Sequence, residues 1–176
     1  MKKLNEVIRI GFKVNWTFIE IGYLGQENIP PQINESDICD YCYLLLEDDK
    51  LDYQPIIELI SEKNDKYTFR EILHNLSEKE GVDYELQVRK WRVYIVKNTL
   101  RNLPEDTFEG LLELMELWIT LGIPKDCPFE IQGRDNKLSP EEYYTNEQFK
   151  IAKEQNIAWI NKEIDTIKIL DGIRKL

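Results

Sequence analysis

The sequence predicts an all-α protein, either a compact multi-helix bundle or a short stack of antiparallel helix pairs, and two observations support this fold class. Apolar residues recur three or four positions apart along most of the chain, in six to eight segments joined by short loops. Residues typical of helix ends also flank these segments: Asn, Ser or Thr precedes them, and Gly or Pro follows them. Since the chain has 176 residues, 42% of them hydrophobic, we expect one helical domain over residues 1–176.

The first half of the chain predicts a series of short helices. Residues 4–14 fit either a helix or a strand, and a short helix then starts at Asn15 or Thr17 and loosens at Gly22 and Gly25. The next helix starts at Asn34 or Ser36, and its apolar face follows an i, i+3, i+4, i+7, i+8 pattern: Ile38, Tyr41, Cys42, Leu45 and Leu46. Residues 54–81 predict two further helices with a turn near residues 64–65.

The second half has the strongest helical periodicity. A central helix is predicted from a broad apolar stripe: Tyr84, Val88, Trp91, Val93, Ile95, Val96 and Leu100. After Pro104 a second helix carries Phe108, Leu111, Leu112, Met115, Trp118 and Ile119, and ends at Gly122 and Pro124. A polar loop over residues 125–139 follows, then a helical turn at Pro140 and a long helix capped by Thr145.

The charge balance limits the classes of partner. The formal net charge is −10, from 33 acidic and 23 basic residues, which disfavours binding to the phosphate backbone of a nucleic acid. The same balance suits a basic protein partner, because long-range attraction speeds the encounter. The sequence shows neither a signal peptide nor a membrane span, and three cysteines do not make a disulfide framework. We therefore expect a cytoplasmic protein with no nucleic-acid or membrane partner.

Two of the three cysteines form a C-x-x-C pattern, Cys39-Asp40-Tyr41-Cys42. A structural zinc site needs four ligands, and the chain offers only Cys127 and the single His74 to complete one. A redox pair normally opens a helix that follows a strand, whereas this pair falls within a predicted helix. The pattern favours two cysteines that pack in the core, and metal binding is the alternative. We therefore assign no cofactor and no metal ligand from the sequence.

Known catalytic motifs are missing from the chain. Glu71-Ile72-Leu73-His74 matches half of a di-metal carboxylate site, but a second E-x-x-H unit would need another histidine. No nucleophile elbow, phosphate-binding glycine loop or H-E-x-x-H motif occurs. The sequence thus favours a protein that is not an enzyme, with His74 as a surface or capping residue.

Acidic side chains gather in two places that suit a basic partner. One is the run after the second predicted helix, with Glu47, Asp48, Asp49 and Asp52. The other is the outer side of the helix after Pro104, with Glu109, Glu113 and Glu116. The simpler interpretation of such acidic groups is a solvated helix end or helix face. The functional interpretation is a surface that binds a basic protein.

The loop over residues 125–139 is the alternative candidate site. It carries Arg134, Asp135 and Asn136 after Gly133, outside any apolar stripe. Loops of this length often carry functional residues, while the simpler interpretation is a connector that ends in a helix cap. An enzyme or small-ligand-binding protein that uses this loop predicts a concave pocket with convergent polar groups.

Four stretches of the chain together resemble a bacterial family known only as a domain of unknown function: NWTFIEIGYLG, KWRVYIVKNTL, LLELMELWITLGIPKDCPF and SPEEYY. The shared pattern is W-x(5)-G-Y, here Trp16, Gly22 and Tyr23, with W-x(3)-G-x-P-x-D-C-P, here Trp118, Gly122, Pro124, Asp126, Cys127 and Pro128. The resemblance implies no catalytic residue. It does imply a link to toxin–immunity systems, since small acidic relatives of this kind can lie beside toxin genes.

The leading hypothesis from the sequence is therefore a non-enzymatic immunity protein that neutralises a cognate, basic toxin through an acidic surface. The alternatives are a small-ligand protein or enzyme that uses the 125–139 loop, and a metal-binding helical protein.

Overall fold

The computed structural model describes residues 2–47, 53–134 and 137–172, and over these ranges it confirms the all-α prediction. Nine helices and no strand occur in the described ranges, apart from one isolated antiparallel bridge between Gln26 and Ile29. The helices are α1 Lys2–Ile10, α2 Trp16–Leu24, α3 Glu35–Leu45, α4 Gln54–Ser61, α5 Lys66–Glu80, α6 Tyr84–Asn102, α7 Thr107–Thr120, α8 Pro140–Tyr143 and α9 Asn146–Leu170.

The chain forms two compact units. Unit 1 comprises Met1–Trp91 and Lys168–Leu176, and unit 2 comprises Arg92–Ile167. Helix α6 therefore contributes its first half to unit 1 and its second half to unit 2, and α9 contributes its last residues to unit 1. The single domain expected over residues 1–176 stays a prediction.

Polar caps determine where the helices of unit 1 begin. The Asn15 side chain accepts the amide N–H of Phe18 at 2.8 Å and so starts α2. Asn34 and Asp37 form a reciprocal capping box at the start of α3. Asp65 accepts amide N–H groups in the first turn of α5, and Gly81 ends that helix with left-handed backbone geometry, at φ 58°.

Helix α2 packs against α5 and forms the apolar centre of unit 1. The Phe18 ring stacks on Trp91 of α6, with ring centroids 4.2 Å apart and planes 6° apart. Trp91 also donates its indole N–H to the Phe18 carbonyl at 2.7 Å. Because both rings are fully buried, this contact fixes α6 against α2 through shape and a satisfied polar group.

Two tryptophans and one asparagine form the centre of unit 2. Trp118 of α7 packs edge-on against Trp159 of α9, with ring centroids 5.1 Å apart. The Trp118 indole donates to the side-chain oxygen of Asn156 at 2.9 Å, and Asn156 donates in turn to the Ala152 carbonyl at 2.8 Å. Asn156 is fully buried, and two of its polar atoms are thereby satisfied.

Several details differ from the sequence predictions. Gly22 lies inside α2, whereas a loosened helix end was predicted there. On α6 the inward stripe includes Trp91, Val93 and Val96, but Tyr84 is exposed, because the buried face is shifted toward Leu86, Gln87 and Lys90. Residues 4–14, which were compatible with helix or strand, contain most of α1 and its end.

None of the described helices combines the length and the hydropathy that crossing a bilayer requires.

Candidate functional site

The three glutamates predicted on α7 lie in one row along that helix. Asp106 starts the helix by accepting the amide N–H of Glu109 at 3.0 Å, and Glu113 and Glu116 follow at i+4 and i+7. Glu109 and Glu116 are exposed, and Glu113 is half-buried. Like charges at this spacing destabilise a helix, and α7 contains no lysine or arginine to offset them. The helix dipole favours Glu109 in the first turn, whereas Glu113 repels both of its glutamate neighbours without a basic residue of α7 to offset the repulsion.

An apolar stripe lies beside this acidic row. Phe108 and Ile119 are 51% and 52% exposed, although the apolar pattern of the sequence suggested that they face inward. Leu112 and Met115 between them are half-buried. Together these side chains form what we call the α7 outer face: Phe108, Glu109, Leu112, Glu113, Met115, Glu116 and Ile119. A surface that combines exposed apolar groups with one sign of charge suits a protein interface.

The other predicted acidic group is only partly described. Glu47 is exposed just after α3 in unit 1. Asp48, Asp49 and Asp52 lie outside the described residues. The structure thus places Glu109, Glu113 and Glu116 on one helix of unit 2, and it places Glu47 in the other unit.

Acidic residues are concentrated in the sequence around α7 and α8. Residues 105–147 contain eleven acidic and three basic residues, a net charge of −8, while the whole chain has −10. This segment includes the α7 outer face, the 125–139 loop, α8 and the start of α9. Most of the net negative charge of the protein therefore lies in this one segment of unit 2.

The first part of the 125–139 loop is held against α9. Asp126 accepts the indole N–H of Trp159 at 2.8 Å, and the Cys127 thiol donates to the Phe129 carbonyl at 3.4 Å. Arg134 is exposed, while Asp135 and Asn136 lie outside the described residues. The three residues proposed as a ligand loop are thus represented here by Arg134 alone.

A cleft of about 220 Å³ lies between this loop and helices α7, α8 and α9, and we call it the α8 cleft. Its apolar lining is Leu111, Phe129, Leu138, Ile151 and Ala152, and its polar lining is Glu130, Tyr143, Gln148 and Gln155. Tyr143 donates its hydroxyl to the Glu130 carbonyl at 2.8 Å, and burial raises the pKa of this phenol well above its usual value. The sequence predicted a pocket at this loop around Arg134, Asp135 and Asn136; among the described residues, Arg134 is not part of the cleft lining.

Four aromatic rings form a row from the α7 outer face to the α8 cleft. The centroids of successive rings are 4.8 Å apart for Phe108 and Tyr144, 5.1 Å for Tyr144 and Tyr143, and 6.4 Å for Tyr143 and Phe129. Phe108 is half exposed, Tyr144 is half-buried, and the two rings at the cleft are almost fully buried. This row could not be predicted from the sequence, because its members come from three separate segments.

The C-x-x-C pair consists of buried thiols. Cys42 is fully buried and Cys39 is nearly so, and no disulfide links them. Burial raises the pKa of the Cys42 thiol to about 12 and also raises that of Cys39. Neither side chain is a thiolate near neutral pH, so both pack in the core as small apolar groups.

His74 lies on the surface, where its ring Nδ1–H donates to a carboxylate oxygen of Glu20 at 2.8 Å. That hydrogen bond, followed by the charge of Glu20, raises the pKa of His74. Within residues 2–47, 53–134 and 137–172 no group of three or more His, Cys, Asp or Glu side chains is arranged to hold a metal ion.

The most deeply buried charge in the described residues of unit 1 was not singled out from the sequence. Lys90 is fully buried; its ammonium lies 2.8 Å from an Asp171 carboxylate oxygen and donates to the Lys13 carbonyl at 2.9 Å. Burial lowers the pKa of Lys90, and the hydrogen bond and charge of Asp171 oppose that shift. The only feature of the sequence that could have indicated a buried lysine is its position directly before Trp91 in a strongly apolar helix.

Nearby, Glu80 supports the start of α2. Its carboxylate accepts the amide N–H groups of Trp16 at 2.6 Å and Thr17 at 3.2 Å. Burial raises the pKa of Glu80, and these two hydrogen bonds oppose the shift. Both Lys90 and Glu80 are explained by the packing of unit 1, so we assign neither of them to a binding site.

The residues behind the sequence resemblance also serve packing. In the W-x(5)-G-Y stretch, Gly22 lies against Trp91, and Tyr23 donates its hydroxyl to Glu35 at 2.8 Å. In the second stretch, Trp118 and Asp126 join the end of α7 and the following loop to α9. In the described structure, the contacts of these motif residues are therefore packing contacts within unit 1 and within unit 2.

Comparison with known proteins agrees with the resemblance at the level of the family. A family model described as an uncharacterized protein conserved in bacteria, DUF2247, matches residues 4–170. No curated protein and no solved structure gives a significant match to this chain.

Proposed function

Since this chain belongs to the uncharacterized bacterial family DUF2247, whose name specifies no activity, we propose a function from its surface. We propose that it is a cytoplasmic, non-enzymatic binding protein that neutralises a cognate toxin. The α7 outer face would bind a basic region of the toxin and cover its active site or substrate groove.

The observation that carries this proposal is the composition of the α7 outer face. Three glutamates lie in a row with no lysine or arginine in the helix, and exposed Phe108 and Ile119 lie beside them. Burying such a surface against a basic partner would relieve the repulsion between the glutamates and remove apolar area from water. The concentration of negative charge in residues 105–147 would also speed the encounter.

The test is a growth assay with the products of the genes that flank this one in its native genome. Each product is expressed alone and together with this protein. We expect one product to stop growth alone, and we expect this protein to restore it.

A charge-reversed variant connects that rescue to the surface. The triple variant Glu109→Lys, Glu113→Lys, Glu116→Lys is expected to lose rescue while keeping its helical circular dichroism. Its matched control reverses three exposed glutamates of unit 1, Glu27→Lys, Glu71→Lys and Glu85→Lys, and should rescue normally. The proposal is wrong if no flanking product is toxic, or if the folded α7 variant rescues as well as its control.

A further inference from the structure

The α8 cleft is too small for a typical cofactor or drug-sized ligand. Its volume is about 220 Å³. Pockets that hold such ligands usually enclose roughly 300–1,000 Å³. The buried rings of Phe129 and Tyr143, with Leu111 and Ala152, form an apolar wall, and Glu130, Gln148 and Gln155 make the rest of the lining polar. These dimensions and this apolar wall suit a single large apolar side chain.

The rim of the cleft provides the polar groups that would contact the neighbours of such a side chain. Glu130 and Gln155 are exposed at the cleft, and Ile151 is 38% exposed beside them. Glu141 and Glu142 of α8 and Glu147 at the start of α9 are also exposed. A segment that enters the cleft with an apolar residue would therefore meet the Glu130 carboxylate in the lining, and further carboxylates lie on α8 and at the start of α9.

The aromatic row connects this cleft with the α7 outer face. Phe108 belongs to that face, and Tyr144 links it to Tyr143 in the cleft wall. Interfaces commonly concentrate their binding energy where an aromatic or aliphatic anchor fills a well-packed pocket that less critical contacts surround. The α8 cleft and the α7 outer face have this arrangement within unit 2.

We propose that the α8 cleft is the anchor pocket for a protein partner: it receives one aromatic or long aliphatic side chain from a segment that carries lysine or arginine beside it. This inference rests on the proposed function, because it specifies what the basic partner inserts. The charge complementarity comes from the carboxylates of residues 105–147, and the apolar wall of the cleft favours a large apolar residue beside the basic ones.

The test is a selection of random twelve-residue peptides displayed on phage, with the complete protein immobilised as bait. We expect enriched peptides that share one large apolar residue next to at least two basic residues. Synthetic versions of these peptides are then titrated by fluorescence anisotropy at low and at high salt. Higher salt is expected to weaken their binding, because the surrounding contacts are between charges.

Two variants of α9 locate the bound peptide. Ile151→Ser removes an apolar side chain at the cleft, and Ile157→Ser makes the same change at a residue of the same helix that is 51% exposed and is not part of the lining. We expect Ile151→Ser to weaken peptide binding by about tenfold or more, as for other anchor pockets, and Ile157→Ser to leave it unchanged. Replacing the large apolar residue of the peptide by alanine should have an effect of similar size.

The proposal is overturned if no peptide family is enriched, or if Ile151→Ser and Ile157→Ser bind the enriched peptides equally well. It is also overturned if a small aromatic amine such as tryptamine occupies the cleft while no peptide does, since that result identifies a small-molecule site. Growth rescue separates this inference from the proposed function. If the Ile151→Ser variant restores growth fully but the α7 charge reversal does not, the toxin-neutralising function stands and the anchor pocket is wrong.

Discussion

Trp91 contacts Phe18 in two ways at once: the two rings are stacked 4.2 Å apart, and the Trp91 indole N–H donates to the Phe18 carbonyl at 2.7 Å. This arrangement leaves no room for a side chain at Gly22, one turn further along α2. A Cβ atom built there would lie 2.2 Å from the Trp91 ring. The glycine is therefore required by the close approach of α6.

Gly22→Ala is expected to destabilise the protein by about 1–3 kcal/mol, although alanine favours helices, because the buried indole must move. Urea unfolding followed by tryptophan fluorescence measures the loss. In a Trp91→Phe background the penalty should be smaller, since the shorter ring vacates the space near Gly22. Equal penalties in both backgrounds would mean that the contact with Trp91 is not the cause.

The fold class was predictable because helical periodicity and polar caps are local signals. Asn15 and Asn34 cap α2 and α3 as the sequence indicated, and Ser139 with Glu142 forms a capping box at α8. Gly22 was misinterpreted because the reason for it, Trp91, is far away in the sequence. Gly110 is a second example, since a Cβ there would lie 2.5 Å from the Phe149 ring.

The candidate site was predictable only in part. Helical spacing predicts the row Glu109, Glu113 and Glu116. It does not predict that Phe108 and Ile119 are exposed, because residues at the edge of a broad apolar stripe can be either buried or exposed. The α8 cleft combines residues from three helices and a loop, and only tertiary structure shows this combination.

Asn156 is expected to be essential for the core of unit 2. Asn156→Leu removes the acceptor of the buried Trp118 indole N–H, so we expect a loss of about 1–3 kcal/mol in the free energy of unfolding. Chemical denaturation measures this loss. The matched control is Gln155→Leu, an exposed neighbour on the same helix, which should change stability by less than about 0.5 kcal/mol. Similar losses for both variants would contradict the role assigned to Asn156.

The buried pair Lys90–Asp171 is expected to tolerate paired replacement better than single replacement. Lys90→Met leaves the Asp171 carboxylate without its ammonium partner, and we expect a cost of about 3–5 kcal/mol. The double variant Lys90→Met, Asp171→Leu removes both charges and should recover part of that loss. Thermal unfolding of the single and double variants measures the coupling, and additive losses would show that the two charges do not interact.

His74 is expected to titrate above the usual histidine pKa of about 6.5. The cause is first its hydrogen bond with Glu20 and then the charge of that carboxylate. A folded pKa above the unfolded value means that the stabilisation is fully present below the unfolded pKa and is lost as pH rises through the folded pKa. Since the chain has one histidine, proton NMR follows it without overlap. Glu20→Gln should lower its pKa, and an unchanged titration would show that Glu20 is not its partner.

The most direct test of toxin neutralisation by the α7 outer face is the association rate with the flanking-gene product that stops growth, measured by surface plasmon resonance at two salt concentrations. We expect fast association that slows as salt is raised, and a much slower, less salt-dependent rate for the Glu109→Lys, Glu113→Lys, Glu116→Lys variant. The Glu27→Lys, Glu71→Lys, Glu85→Lys control should associate nearly as fast as the unmodified protein. Association rates that are the same for the α7 variant and its control, at both salt concentrations, would contradict the account.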